Sequence, residues 1–246
     1  MIIDSHVKIG NSFNGRSLHI DDYLVLMEEN NIDIAMLTAN KPISYQVEDG
    51  NEILLDIVKQ YPDRFTATVR VDPWRQKESI NELDRLFSHN EFKAIYFNPW
   101  EENYMCNDDI VIPFLEYAEK YRKPIIIEAG FPWVSHISKI ADLARRYPSV
   151  NIKATNAGQL DLSGITLNQV QYLMERHKNL YLGTSSAVAV DWLTNMITES
   201  GRGRVLFETN APFTDVYMEI YRIAHNYADD KLKEDVFQLN YFSFLG

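Results

Sequence analysis

One feature constrains the fold more than any other. Short runs rich in β-branched residues alternate with longer stretches of helical period, and the pair recurs eight times along the 246 residues. The strand-like runs fall at 2–8, 33–38, 65–71, 92–97, 124–129, 150–155, 179–184 and 204–209. Helical periods fall between and after them, at about 19–30, 50–61, 77–88, 109–122, 135–147, 166–177, 187–199 and 214–226. In the fifth, Val134, Ile137, Ile140, Ala141, Leu143, Ala144 and Tyr147 share one face, with Lys139, Asp142, Arg145 and Arg146 between them. Thr166 with Gln169 has capping-box spacing, and Pro62, Pro124 and Pro148 follow helix ends. A ninth helix near 230–238 precedes an aromatic tail, Tyr241, Phe242 and Phe244, expected to pack down. Eight such units in this length predict an α/β protein of the (β/α)8 TIM-barrel class, one domain over residues 1–246. An open doubly wound sheet is the main alternative. It usually has fewer strands and often a Gly-rich first turn, and the chain contains neither GxGxxG nor GxxxxGK[ST].

Composition narrows the partners. With 24 Lys and Arg against 35 Asp and Glu, the net charge is −11, which disfavours nucleic-acid backbones and anionic membrane surfaces. No apolar run approaches the roughly 20 residues of a membrane span. The first ten residues carry Asp4 and His6 where a signal peptide needs an unbroken apolar stretch. The lone Cys106 fits a reducing compartment and is expected to be structural. A cytoplasmic protein handling a small molecule is expected, with homo-oligomerisation open.

In such barrels the acting residues lie at the carboxyl ends of the strands. Period-2 alternation places Asp4, His6 and Lys8 on one side of the first strand and Val7 on the other. The other strand ends offer Arg70, Tyr96, Asn98, Glu128, Asn156, Thr184, Ser185, Glu208 and Asn210. Buried charges need partners, so Lys8, Glu128 and Glu208 should meet each other or a ligand if they point inward. Arg70 is a candidate for a substrate carboxylate or for an acidic neighbour. Trp74, Trp100 and Trp133 fall in or near the loops after strands 3 to 5, as a ligand wall or a subunit contact. The remaining histidines, His19, His89, His136, His177 and His225, lie in or beside helices, and no G-x-S-x-G nucleophile elbow is present.

These positions also carry a resemblance. The opening Ile-Ile-Asp-Ser-His-Val-Lys-Ile-Gly resembles the I-D-x-H-x-H-x-G start of the amidohydrolase-2 family of metal-dependent hydrolases and decarboxylases. Segments at 61–73, 91–99, 123–130, 145–158, 178–186 and 203–213, with Asn240, echo family segments in order. The resemblance implies a divalent metal, commonly zinc, on two His of the first strand, a His ending strand 5 and an Asp ending strand 8, with a further His ending strand 6. Here His6 stands alone: Lys8, Glu128, Asn156 and Asn210 occupy the other positions. One imidazole, one carboxylate, two amides and an ammonium make a poor zinc site, so no tightly bound metal or other cofactor is expected.

The sign of the charges yields a sharper expectation. The Lys8 ammonium should sit roughly where the resemblance places the metal, held by Glu128 and by side-chain oxygens of Asn156 or Asn210, with Glu208 as a second carboxylate. On this reading Lys8, His6, Glu128 and Glu208 carry the chemistry, and Arg70, Tyr96, Asn98, Asn156, Asn210, Trp100 and Trp133 hold the ligand. The resemblance includes lactone-hydrolysing members that work without metal. The expected function is therefore a hydrolase or lyase of a small lactone, ester, amide or carboxylate, decarboxylation included. A non-catalytic binding protein is the alternative, and a metallohydrolase with an unusual ligand set a weaker one.

Overall fold

The computed structural model describes residues 1–160, 165–187, 189–226 and 229–246. Eight parallel strands run in chain order around one sheet: β1 (Ile3–Ile9), β2 (Ile34–Ala39), β3 (Phe65–Arg70), β4 (Phe92–Phe97), β5 (Ile125–Ile127), β6 (Ile152–Ala154), β7 (Leu180–Gly183) and β8 (Val205–Leu206). Beyond β8 the chain returns to β1. Ser5 N donates to Phe207 O at 2.9 Å, Asn210 N to His6 O at 2.9 Å and Lys8 N to Ala211 O at 2.8 Å. The helices that alternate with these strands are α1 (Ile20–Asn30), α2 (Val47–Gln60), α3 (Gln76–Leu86), α4 (Ile112–Tyr121), α5 (Ile137–Arg146), α6 (Ile165–Arg176), α7 (Val190–Asn195) and α8 (Val216–Asn226). The expected single-domain (β/α)8 barrel is the fold. α6 begins one residue before Thr166, and the position preceding the helix lies outside the described residues.

Period-2 alternation sorts the side chains into two cores. Residues such as Val7, Leu37, Val69, Ile95, Ile127, Ile152 and Leu182 face outward, against the helices. Ile3, Met36, Ala94, Tyr96, Ile126, Tyr181 and Leu206 fill the barrel's interior. Past α9 (Asp230–Glu234) and a π-helical turn at 235–239, α10 (Asn240–Leu245) presses Tyr241 and Phe244 into that interior cluster. The aromatic tail packs down as expected, except that Phe242 stays largely exposed.

The register shifts in two places, between β3 and β4 at Ala67 and Thr68 and, with more consequence for the site, in β1. Asp4 pairs with Ala35 and Val7 with Leu37, three residues against two, so the strand carries a bulge between them. Asp4 therefore does not share a side with His6 and Lys8, as strict alternation predicts. Its carboxylate accepts from Tyr23 OH of α1 at 2.7 Å and from Thr209 Oγ1 at 2.5 Å, a buried clasp away from the barrel interior.

Candidate functional site

The carboxyl ends of the strands converge on a cavity of about 490 Å³. Its charged and polar lining includes Lys8, Asn98, Glu101, Glu128, Asn156, Asn210 and Arg16, and its apolar walls are Phe13, Trp100, Phe131, Leu160 and Phe213. Lys8 rises from β1 and Glu128 follows directly on β5; Lys8 Nζ lies 2.9 Å from Glu128 Oε1, with both side chains almost wholly buried. The ammonium also lies 4.5 Å from the centre of the Phe213 ring.

Glu128 is the hub of the cluster. Tyr96 OH donates to Oε2 at 2.9 Å, and Asn156 Nδ2 donates to Oε1 at 3.0 Å. His6 Nε2 stands 3.5 Å from Oε2 without forming a hydrogen bond, while His6 Nδ1 lies 3.2 Å from Thr38 Oγ1. Burial alone would raise the Glu128 pKa. The Lys8 charge and the adjacent His6 outweigh it and hold the carboxyl well below its ordinary range. Burial pushes the His6 imidazole down, toward the neutral form, and drives the Tyr96 phenol well up, with the Glu128 charge adding to the effect. Asn98 donates to that phenol oxygen at 3.2 Å and, unlike Tyr96, reaches the cavity.

The two asparagines do something other than expected. Asn156 gives its amide hydrogens to Glu128, Ala129 O and Thr155 Oγ1, so it presents N–H, not oxygen, to the Lys8 pair. Its oxygen accepts from Asn210 Nδ2 at 2.7 Å. Neither amide oxygen bonds Lys8. Both residues have left-handed backbone, φ 56° and 51°, a conformation that asparagine tolerates better than most side chains.

Three more expectations need correction. Glu208 does not join Lys8. It is completely buried, 2.9 Å from Lys153 Nζ, and its other oxygen accepts from Ser185 Oγ at 2.7 Å and Asn156 N at 2.9 Å. Arg70 offers no free guanidinium to a ligand, because Glu101 (2.5 Å), Glu102 (2.7 Å) and Ala39 O (2.9 Å) hold it inside the protein. Trp133 is 78% exposed and, like Trp74, lies off the cavity wall; Trp100 lines it, stacked on Phe131 at 4.8 Å with the ring planes 6° apart.

Sequence reasoning missed Lys153 and Arg16. The signal for Lys153 was present: in β6, Ile152 and Ala154 face the helices, so period 2 turns Lys153 inward. Arg16, in the loop after β1, had no such signal. Cys106 is buried and unpaired, as expected of a structural thiol.

The donor set does not fit the metal that the resemblance implies. Lys8 already places a cation on the Glu128 carboxylate, and Asn156 turns N–H toward it. Among the described residues, no three His, Cys, Asp or Glu side chains are grouped to hold an ion. A zinc site wants at least three such ligands and an open position.

The family profile described as Amidohydrolase matches residues 3–240. Among solved structures, 5-carboxyvanillate decarboxylase from Sphingomonas paucimobilis superposes with a TM-score of 0.78 at 14% identity, covering 99% of this chain and 98% of that one. A 2,6-dihydroxybenzoate decarboxylase from Rhizobium gives 0.77 at 18% identity, with coverage of 99% and 98%. A probable 2-pyrone-4,6-dicarboxylic acid hydrolase from Acinetobacter baumannii, with citric acid bound, gives 0.75 at 16% identity, with coverage of 100% and 99%. At these identities the likeness speaks for the fold alone. Among curated proteins, no sequence matches the chain.

Proposed function

The chain belongs to the amidohydrolase family, and from that premise we propose that it is a hydrolase of a small, flat acyl compound, a lactone or ester, that works without a tightly bound metal. The observation that carries this reading is the Lys8–Glu128 pair at 2.9 Å on the cavity wall. A 2-pyrone, the compound class in the name of one structural neighbour, is such a lactone. The Trp100–Phe131 stack offers a flat apolar wall suited to a planar ring.

The reaction follows from the charges. A substrate carbonyl oxygen takes a hydrogen bond from the Lys8 ammonium, which polarises the carbonyl and leaves Glu128 with one partner fewer. Freed of part of the Lys8 charge, the Glu128 carboxylate becomes more basic and removes a proton from the attacking water. The tetrahedral oxyanion faces Lys8. As the acyl–oxygen bond breaks, Glu128 returns the proton to the departing alkoxide, so one water is consumed and an acid and an alcohol are formed. Tyr96 and Asn156, which donate to its two oxygens, hold Glu128 in place.

A second reading, a binding protein without turnover, has its own support. With Lys8 in place, Glu128 lies well below the carboxylate range and is a weak base at neutral pH. A screen of lactones, esters and amides with wild type, Lys8→Ala and Glu128→Gln separates the two. Turnover that both substitutions abolish, in folded protein, supports the hydrolase; binding without turnover across the screen supports the alternative; turnover indifferent to both contradicts the assigned centre.

A further inference from the structure

The charges lining the cavity nearly cancel, and the residue left over is Arg16. Lys8 is matched by Glu128. Glu101, which reaches the cavity, belongs with Glu102 to a buried group closed by Arg70 at 2.5 and 2.7 Å and by Lys41, 3.6 Å from Glu102. His6 is pushed toward neutrality by burial. Arg16 has no ion pair among the described residues; its guanidinium lies 5.0 Å from the centre of the Phe213 ring, the ring that Lys8 also approaches. Its backbone is tied down, with Arg16 N donating to Asn14 Oδ1 at 3.0 Å and Asn40 Nδ2 donating to Arg16 O at 3.4 Å. The cavity is therefore left with one positive charge that has no ion pair among the described residues, carried by an exposed side chain on a tethered backbone beside an aromatic face.

We propose that Arg16 is the anion-recognition residue of this cavity and that the cavity selects a planar compound with one carboxylate over one with two. Resting on the reading that the barrel mouth takes the substrate, this names the substrate's charge. The first carboxylate meets the Arg16 fork, which matches carboxylate geometry. A second, elsewhere on the ring, would lose its hydration and find no unmatched cation, because Lys8 is already paired with Glu128 and Glu101 is held by Arg70. A neutral analogue gains the stacking but leaves Arg16 unmatched.

The test is calorimetric binding of 2-naphthoate, naphthalene-2,6-dicarboxylate and 2-naphthamide to wild type, Arg16→Met, Arg16→Lys, Lys8→Met and Trp100→Ala. Wild type is expected to prefer 2-naphthoate over both others by about tenfold or more. Arg16→Met should lose about that factor for 2-naphthoate and leave 2-naphthamide unchanged, with part of the loss recovered in Arg16→Lys. Equal or tighter binding of the dicarboxylate overturns the inference, as does 2-naphthoate affinity that depends on Lys8 or Trp100 but not on Arg16; in that last case the barrel-mouth site itself stands. Absence of binding, or binding indifferent to all three positions, overturns both.

Discussion

Lys153 and Glu208 form an ion pair 2.9 Å long in which neither side chain reaches solvent. Lys153 also donates to Ser5 O and Ser5 Oγ, each at 2.9 Å, so the pair braces β1 against β6 and the chain end beyond β8. Through Glu208 Oε1 it fixes the main chain of Asn156, whose side chain in turn contacts Glu128. Lys153→Met or Glu208→Leu alone should destabilise the protein by about 3–5 kcal/mol, because each strands a buried partner, and Lys153→Met/Glu208→Leu should cost less than the two single losses added together. Urea unfolding midpoints check this; additive losses would contradict it.

Gly183, at the end of β7, makes room for that carboxylate. A Cβ there would fall 2.0 Å from Glu208 Cδ, far inside contact distance. Gly183→Ala should lose roughly 1–3 kcal/mol, or more where nothing can shift. An unchanged melting temperature would mean that Glu208 does not pack on this strand.

Arg70 is a positioning residue for the loop that carries Trp100 and Glu101. Burial opposes its charge, and Glu102 and Glu101 more than restore it, raising its pKa above the ordinary value. Arg70→Met should cost about 3–5 kcal/mol by leaving two buried carboxylates with Lys41 alone, and it should weaken 2-naphthoate binding as the wall loosens. Full retention of both stability and binding would show that the loop stands without it.

Within the site, Glu128 and His6 are both shifted down, and each ties stability to pH. Glu128 in the folded protein keeps its charge to lower pH than in the unfolded chain. Its contribution to stability is thus fully present above the unfolded carboxyl value, about 4.3, and is lost as pH falls through the lower folded value. His6, neutral in the fold because of burial, begins to act earlier: as pH falls below about 6.5, the unfolded chain takes up a proton that the folded one resists. Burial acts in the opposite sense on Glu219, whose carboxyl is pushed up to about 7, and on Asp4 and Glu102, also raised, so the Glu128 contribution is read as the difference between wild type and Glu128→Gln. Glu128→Gln should be less stable at neutral pH and flatten the limb below about pH 5. A variant with an unaltered acid limb would contradict the assigned shift.

How much of this was legible in the sequence depends on the physical rule involved. Strand–helix alternation gave the barrel, because period-2 and period-3.6 patterns reflect which faces are buried. Placing His6, Lys8 and Glu128 together required only that strand ends converge. The bulge in β1, which turns Asp4 toward Tyr23, is a matter of register and has no local signature. Glu208 was misassigned, and Arg70 was left open between a substrate carboxylate and an acidic neighbour, because their partners, Lys153 and Glu101 with Glu102, meet them only in three dimensions. The asparagine oxygens went astray because hydrogen bonds to Glu128 and to Ala129 O decide which way the Asn156 amide turns.

We propose that the Lys8 ammonium supplies the positive charge that a metal ion would otherwise bring to Glu128. That role is tested most directly by elemental analysis of the purified protein, alongside 2-naphthoate binding before and after prolonged chelation and zinc addition. Far less than one equivalent of any divalent metal is expected, with binding unchanged by either treatment and weakened in Lys8→Met, where the Glu128 charge is left unmatched. One equivalent of metal, whose removal abolishes binding and whose return restores it, would contradict the account.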